Sequence, residues 1–191
     1  MLTSVELYTQ MHVMLGTLDT GRLRTSDYVN GAGVDMVPLV EAWIGDLARR
    51  DAAPVWLKPA AFHKRDILLV VPGDHLEPVA QLRPGFVRTR TVRVAVSIGP
   101  FLVQGDVHVP PGVQFEIRRL FGAEARTFMP LTSATLTYTP NPNVDAQHHV
   151  VLVRADHVEF AGLAHDANEE SPPALASAVQ DRLRALVGGS G

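Results

Sequence analysis

The sequence predicts an all-β protein in which a small module occurs twice, followed by a C-terminal helix. Two segments have near copies further along the chain: Met36–Ala42 is echoed by Phe128–Ala134, and Val71–Glu77 is echoed by Val153–Glu159. A weaker echo relates Val5, Leu7 and Gly16 to Val94, Val96 and Gly105. The echoes occur in the same order in both places, which indicates a tandem duplication.

The first module is predicted to cover residues 1–82. It opens with Val5–Val13, in which apolar and polar residues alternate as they do in a half-buried strand, and Gly16 then permits a bend. Further strand-like stretches lie at 39–44, 62–71 and 75–79. The interval from Ala42 to Asp74 exceeds that from Ala134 to Asp156 by ten residues, and we expect this insertion at Gly45–Ala53.

The second module is predicted to cover residues 83–168. Val92–Ile98 alternates cleanly between apolar and other residues, and similar stretches continue as far as Leu152. Turn residues such as Pro110-Pro111-Gly112 and Pro140–Asn143 separate them. The junction between the modules is expected at Gln81–Thr91.

A helix is predicted in the last segment, residues 169–191. Ser171 followed by two prolines is typical of a helix start, and Gly188 ends the pattern. Apolar residues at helical spacing form one stripe: Leu175, Val179, Leu183 and Leu186. We expect this stripe to pack on the β modules, or alternatively between subunits.

Composition limits the function classes. The 191 residues are 46% hydrophobic, include no cysteine and carry a formal net charge of -3. Disulfides, thiolate metal sites and cysteine nucleophiles are therefore excluded, and the charge argues against binding nucleic acid by bulk electrostatics. The longest apolar run, Ile67–Val71, is too short to cross a bilayer, and the start does not resemble a signal peptide. We expect a cytoplasmic protein without a membrane partner.

The sequence predicts no catalytic residue, metal site or cofactor. His148 and His149 would diverge in a strand, and no helical spacing of two histidines suits a metal ion. Serine-hydrolase, phosphate-loop and dinucleotide motifs are absent from the sequence. We therefore expect a protein that is not an enzyme, and no small-molecule ligand is identifiable.

The order of several short motifs in the first module resembles the Sm-like family. These are Gly16, then Asp27 and Asn30, then Pro38–Ala42, and finally the turn Pro72–His75. The resemblance implies two degenerate small five-stranded β-barrels of about 70 residues each. It also implies a ligand-facing role for Asp27 and Asn30. The alternative is that both are turn residues whose side chains bond nearby backbone.

The Asp-His pairs occur once in each module, as Asp74-His75 and Asp156-His157. Neighbouring side chains in a strand point to opposite faces, so neither pair is expected to form an Asp-His relay within itself. They are candidate partner contacts. The alternative is a turn aspartate that caps backbone amides beside an exposed histidine.

Arginines cluster around the module junction, at Arg83, Arg88, Arg90 and Arg93. Arg88 and Arg90 would share one strand face, where guanidinium groups can bind phosphates. Phe86 is the only aromatic residue within the cluster, although single-stranded nucleic acid is usually bound with the help of stacking aromatics. A solvated linker is the alternative interpretation.

The function expected from these observations is assembly. Paired β modules present open strand edges, which favour a symmetric homo-oligomer. The alternative is a single-stranded RNA- or DNA-binding module of Sm-like type that uses the arginines and the Asp27–Asn30 segment. An enzyme ranks third, because nothing in the sequence pairs a nucleophile with a base.

Overall fold

The computed structural model describes residues 1–33, 35–49, 51–73, 89–122, 126–141, 145–164, 177–179 and 181–182. Strands dominate these residues, which confirms the prediction of a mainly β protein. The first half contains β1 (Leu2–Tyr8), β2 (His12–Asp19), helix α1 (Thr25–Asn30), β3 (Met36–Leu39), β4 (Glu41–Asp46), β5 (Val55–Leu57), β6 (Ala60–His63), a 3-10 turn (Lys64–Asp66) and β7 (Leu69–Pro72). The second half contains β8 (Arg90–Ile98), β9 (Phe101–Val109), helix α2 (Ile117–Leu120), β10 (Phe128–Tyr138), β11 (Asp145–Arg154), a 3-10 turn (Ala155–His157) and β12 (Phe160–Leu163).

Ten of the strands form one sheet in the order β12-β8-β9-β10-β11-β7-β1-β2-β4-β5, and β3 pairs with β6 in a second sheet. The described strands do not close into barrels, because β12 and β5 end the ten-stranded order. The prediction of two tandem small barrels is therefore corrected: strands of both halves share one open ten-stranded sheet. Its physical cause is the pairing of β11 with β7, which makes the two halves share a sheet.

The pairing registers of the two halves correspond. Val5 lies opposite Gly16 in the first hairpin, and 89 residues further along Val94 lies opposite Gly105. Two further pairs of the first half have counterparts in the second. Leu7 opposite Val70 corresponds to Val96 opposite Ala161. Ala42 opposite Leu57 corresponds to Ala134 opposite His148. In the first half, β7 lies beside β1 and β4 beside β2, and in the second half, β12 lies beside β8 and β10 beside β9.

Two glycines allow close packing at equivalent places in these registers. A Cβ on Gly16 would lie 2.4 Å from the Glu41 carbonyl oxygen and 2.7 Å from Leu39 Cδ1. A Cβ on Gly105 would lie 2.9 Å from Leu131 Cβ. Both sites need glycine because atoms of the neighbouring strand segment, residues 39–42 beside Gly16 and 131–134 beside Gly105, lie too close for a Cβ.

The core has two parts, which meet at the β11–β7 junction. One includes Leu39, Val70 and Leu152, and the other includes Leu69, Val71 and Leu131. Consecutive residues of β7 thus face different cores, as the alternation of a strand requires. The predicted burial of Leu39, Leu131, Val70 and Leu152 is confirmed.

Several predicted details are wrong. Residues 47–54 separate β4 from β5, and residues 139–144 separate β10 from β11, so the insertion is much shorter than the ten residues expected. The echo between Val71–Glu77 and Val153–Glu159 involves strands at different places in the two halves, because β7 pairs with β1 of its own half whereas β11 pairs with β10 of its own half. The predicted Asp27–Asn30 turn belongs to helix α1.

The C-terminal helix is described only in part. Residues 177–179 and 181–182 are helical, and the rest of the predicted helix lies outside the described residues. Among the described residues, no helix has the length and apolar character needed to cross a membrane.

Candidate functional site

The side chain of Asn30 links α1 to β10 by hydrogen bonds. Its Nδ2 donates to the carbonyl oxygens of Ser26 at 2.8 Å and Phe128 at 3.0 Å, while the Phe128 N–H donates to Asn30 Oδ1 at 2.8 Å. Both the Nδ2 donor and the Oδ1 acceptor of this amide therefore bond backbone groups, one near in sequence at Ser26 and one in the other half at Phe128. Asp27 lies exposed in the first turn of the same helix.

The most buried charged residue described is Arg154, which is 8% exposed. Its Nε donates to Asp156 Oδ1 at 2.6 Å, its Nη2 donates to Oδ2 at 2.9 Å, and its Nη1 donates to the Lys64 carbonyl oxygen. This paired hydrogen bond is the main reason that the pKa of Asp156 falls from 3.8 to about 2. Arg154 therefore ties the 3-10 turns of the two halves together.

Asp156 and His157 do approach each other, contrary to the prediction. They lie in a 3-10 turn rather than a strand, and His157 Nδ1 is 3.2 Å from Asp156 Oδ1. The argument from alternating strand faces does not apply in a turn. The corresponding pair in the first half, Asp74 and His75, lies outside the described residues.

A polar cleft of about 720 Å³ brings Asn30 and Asp156 together. Its other lining residues include His63, Lys64, Arg65 and Arg154. Desolvation and the neighbouring Arg154 charge lower the pKa of Lys64. Arg154 is not among the residues predicted from the sequence. Its position directly after the apolar run Val150–Val153 is a signal of burial, and a buried charge needs a partner.

His157 lines a second cleft, of about 590 Å³, together with His12 and His63. Met14 and Leu68 contribute apolar walls. Within the described part of the chain, no cluster of three or more histidine, aspartate or glutamate side chains could hold a metal ion.

The two described arginines of the predicted cluster bond to their own chain. Arg90 Nη2 donates to the Val113 carbonyl oxygen at 3.4 Å. Arg93 Nη1 donates to Asp106 Oδ1 at 3.3 Å and to the Ser133 carbonyl oxygen at 3.0 Å. Being three residues apart in β8, Arg90 and Arg93 point to opposite faces. Arg83 and Arg88 lie outside the described residues.

The junction between β11 and β7 joins the two halves. Leu152 lies opposite Val70 and Val153 opposite Leu69, in antiparallel register. The Arg154 N–H donates to the Leu68 carbonyl oxygen at 3.0 Å. The four paired side chains are fully buried, so this junction resembles the interior of a single domain.

The outer edges of β12 and β6 lack such a partner among the described residues. In β12, Phe160 is 60% and Leu163 is 52% exposed. In β6, Ala61 and His63 are exposed. Both edges are therefore open to strand pairing.

The backbone hydrogen bonds of β12 to β8 and of β6 to β3 show which N–H groups of β12 and β6 point away from their partner strands. The Ala164 N–H donates to the Arg93 carbonyl oxygen, and the Lys64 N–H donates to that of Asp35. Because bonded positions alternate along an antiparallel strand, the N–H groups of Ala161 and Ala61 point outward.

None of the protein-family models, curated proteins or solved structures compared with this chain matches it. The Sm-like resemblance accordingly stays a prediction.

Proposed function

We propose that the chain is a tandem duplication whose function is assembly, with β12 of one copy pairing with β6 of the next. The observation that carries this proposal is the β11–β7 junction. In this junction β11 of the second half pairs with β7 of the first, while the outer edges of β12 and β6 have no strand partner among the described residues.

The duplication is supported by registers rather than by sequence identity alone. The pair Val5 and Gly16 corresponds to Val94 and Gly105. After β7 the Gly73 N–H donates to the Ser4 carbonyl oxygen, just as the Ala164 N–H donates to that of Arg93 after β12. Chance would have to reproduce both the strand order and the residue register.

The correspondence assigns a register to the junction between copies. β12 corresponds to β7. Tyr8 and Leu7 correspond to Ser97 and Val96, and the residues opposite them correspond as well. Phe160 therefore corresponds to Leu69, and Ala161 corresponds to Val70. β6 takes the place of the end of β11, because β6 pairs with β3 as β11 pairs with the start of β10. Ala161 of one copy then lies opposite Ala61 of the next.

The proposed junction would satisfy groups that the single chain leaves open. The outward N–H groups of Ala61 and Ala161 gain carbonyl partners, and Phe160 packs beside Phe62. Full burial of a phenylalanine side chain contributes roughly 1.5–3 kcal/mol. The contact joins two different edges, so it is heterologous and a finite assembly requires closure into a symmetric ring.

Proline substitutions test the proposal at both edges. Ala61→Pro and Ala161→Pro each remove an outward N–H without removing a bond to β3 or β8, and proline is tolerated at such edge positions. Native mass spectrometry should show an oligomer for the wild type and a monomer for each variant. A mixture of the two variants retains one intact β12 edge and one intact β6 edge, and it should form a heterodimer.

The double variant Ala61→Pro/Ala161→Pro is the matched control, because it should stay monomeric alone or in any mixture. Circular dichroism checks that each variant is folded. A wild-type protein that is monomeric at all accessible concentrations would refute the proposal, as would a mixture of single variants that forms nothing.

The second candidate function is binding of single-stranded RNA or DNA. The polar cleft supports it, because His63, Lys64 and Arg65 line one side. Asp35 and Asp156 in the same cleft, and the net charge of -3, count against it. Fluorescence anisotropy tests it: binding should weaken steeply with salt and be lost in a Lys64→Ala/Arg65→Ala variant. A triple Ala variant of Arg88, Arg90 and Arg93 tests the junction arginines separately.

A further inference from the structure

A row of large apolar side chains lies exposed on the outer face of the first half. Leu15 lies opposite Trp43, and Trp43 lies opposite Trp56, so the three cross β2, β4 and β5 side by side. They are 50%, 52% and 50% exposed, respectively. The indole rings of the tryptophans are 6.4 Å apart between centroids. We call Leu15, Trp43 and Trp56 the tryptophan row.

The second half has polar residues at the corresponding positions. Gln104 lies opposite Thr135, and Thr135 lies opposite Gln147. The fold therefore does not require apolar side chains in this row, and a solvated row is compatible with the same register. An apolar row confined to one half favours a specific partner, because exposed apolar surface of this kind marks interaction sites.

The surroundings of the tryptophan row are acidic. Glu6 lies opposite Leu15 on β1, and Glu41 lies two residues before Trp43 on the same face of β4. Lys58 Nζ approaches Glu41 Oε2 only at 3.8 Å, between largely exposed side chains. A partner that fits combines an apolar stripe with basic residues beside it.

We propose that the C-terminal segment of one copy, residues 171–187, packs across the tryptophan row of the next copy. The segment carries the apolar stripe predicted from Leu175 to Leu186, with Arg182 and Arg184 close by in sequence. Val179, the described member of the stripe, is 59% exposed, so the described residues do not bury it. This inference rests on the proposed pairing of β12 with β6.

The reach of the segment favours the neighbouring copy. With Ala161 opposite Ala61, Leu163 lies opposite Pro59, which is three residues from Trp56 in sequence and so at most about 11 Å from it. Residues 164–170 can span about 23 Å, which suffices to begin a helix over the row. Within one molecule, β12 and β5 stand at opposite ends of the ten-stranded order.

Tryptophan fluorescence reports directly on this contact, because Trp43 and Trp56 are the two tryptophans of the chain. The full-length variant Val179→Asp/Leu183→Asp places charges in the stripe. Its emission maximum should shift to longer wavelength and acrylamide should quench it more strongly than the wild type. Ser177→Asp, on the other side of the predicted helix, is the matched control and should behave as the wild type does.

Two further measurements separate this inference from the assembly proposal. The monomeric Ala61→Pro variant should show the same red-shifted emission, and a synthetic peptide of residues 171–187 added to it should reverse the shift. An oligomer whose emission is unchanged by Val179→Asp/Leu183→Asp would overturn the inference and leave the assembly proposal standing. A monomeric wild type with shielded tryptophans would overturn both, since the segment would then cover its own molecule.

Discussion

Replacing Gly16 by alanine tests how closely β4 packs against β2. The added Cβ would lie 2.4 Å from the Glu41 carbonyl oxygen, 2.7 Å from Leu39 Cδ1 and 3.2 Å from Ala42 Cβ. Leu39 Cδ1 can rotate away, but the carbonyl oxygen belongs to the backbone of β4 and moves only if the β2–β4 ladder shifts. Overpacking of this kind costs typically 1–3 kcal/mol, and the upper end applies where backbone is the obstacle.

The opposing effect is smaller. Alanine restricts the unfolded chain and thereby stabilises the folded state by about 0.4–1 kcal/mol where it fits. The expected net loss for Gly16→Ala is about 2 kcal/mol. Gly105→Ala should lose less, about 1 kcal/mol, because its Cβ would meet Leu131 Cβ at 2.9 Å and the nearest backbone oxygen only at 3.2 Å.

Urea unfolding at a fixed protein concentration measures these losses, since assembly would make the midpoint concentration-dependent. Gly45→Ala is the control, because its Cβ would approach Val13 Cγ1 at an ordinary 3.4 Å. If Gly16→Ala is as stable as Gly45→Ala, then residues 39–42 do not approach Gly16 as closely as the structure places them. The register shared by the two halves would lose its best physical support.

Three other perturbations address the cores and the junction. Leu39→Ala and Leu131→Ala should each cost about 2–5 kcal/mol in chemical denaturation, and losses below about 1 kcal/mol at both sites would show that neither residue is core. Asn30→Ala should lower the free energy of unfolding by roughly 1–3 kcal/mol, because it leaves the N–H and carbonyl groups of Phe128 without their partner. A neutral result in the same assay would contradict this role of Asn30. The pKa of Asp156 is lowered from 3.8 to about 2, so its pairing with Arg154 stabilises the fold above pH 3.8, and this contribution is lost as the pH falls towards about 2. Asp156→Asn should remove that part of the acid dependence in unfolding measured across this pH range, and an unchanged profile would contradict it.

Local pattern was sufficient to predict the strands and much of the core. Alternation identified β1 and β8, and the apolar positions repeated within the chain, such as Leu39 and Leu131, proved to be buried. Whether the sheet closes into barrels could not be predicted, because that depends on which strand edges pair with each other. The pairing of β7 with β11 is set by residues some 80 positions apart, such as Val70 and Leu152.

The candidate site was less predictable than the strands. The bond of Asn30 to Ser26 is of the local kind that the turn interpretation describes, but its partner Phe128 lies in the other half and leaves no local signal. The Asp156–His157 contact was missed because a 3-10 turn was taken for a strand. Arg154 was overlooked because its importance comes from burial against the turn at Lys64, which only the assembled sheet creates.

The proposed outer junction should be weaker than the inner one, because it joins two separate copies whereas the inner one lies within a single chain. The inner junction buries Leu152 and Val153 against Val70 and Leu69. The outer junction would place Ala61 and Phe62 opposite Ala161 and Phe160, so the Leu152 and Val70 positions both become alanine. Each lost methylene-sized group forfeits about 0.8 kcal/mol of burial, but the Val153 and Leu69 positions become phenylalanine, whose larger apolar side chains offset this loss. The backbone ladder would be the same in both. Because association of two separate copies costs translational and rotational entropy, we expect the outer junction to form and dissociate with protein concentration.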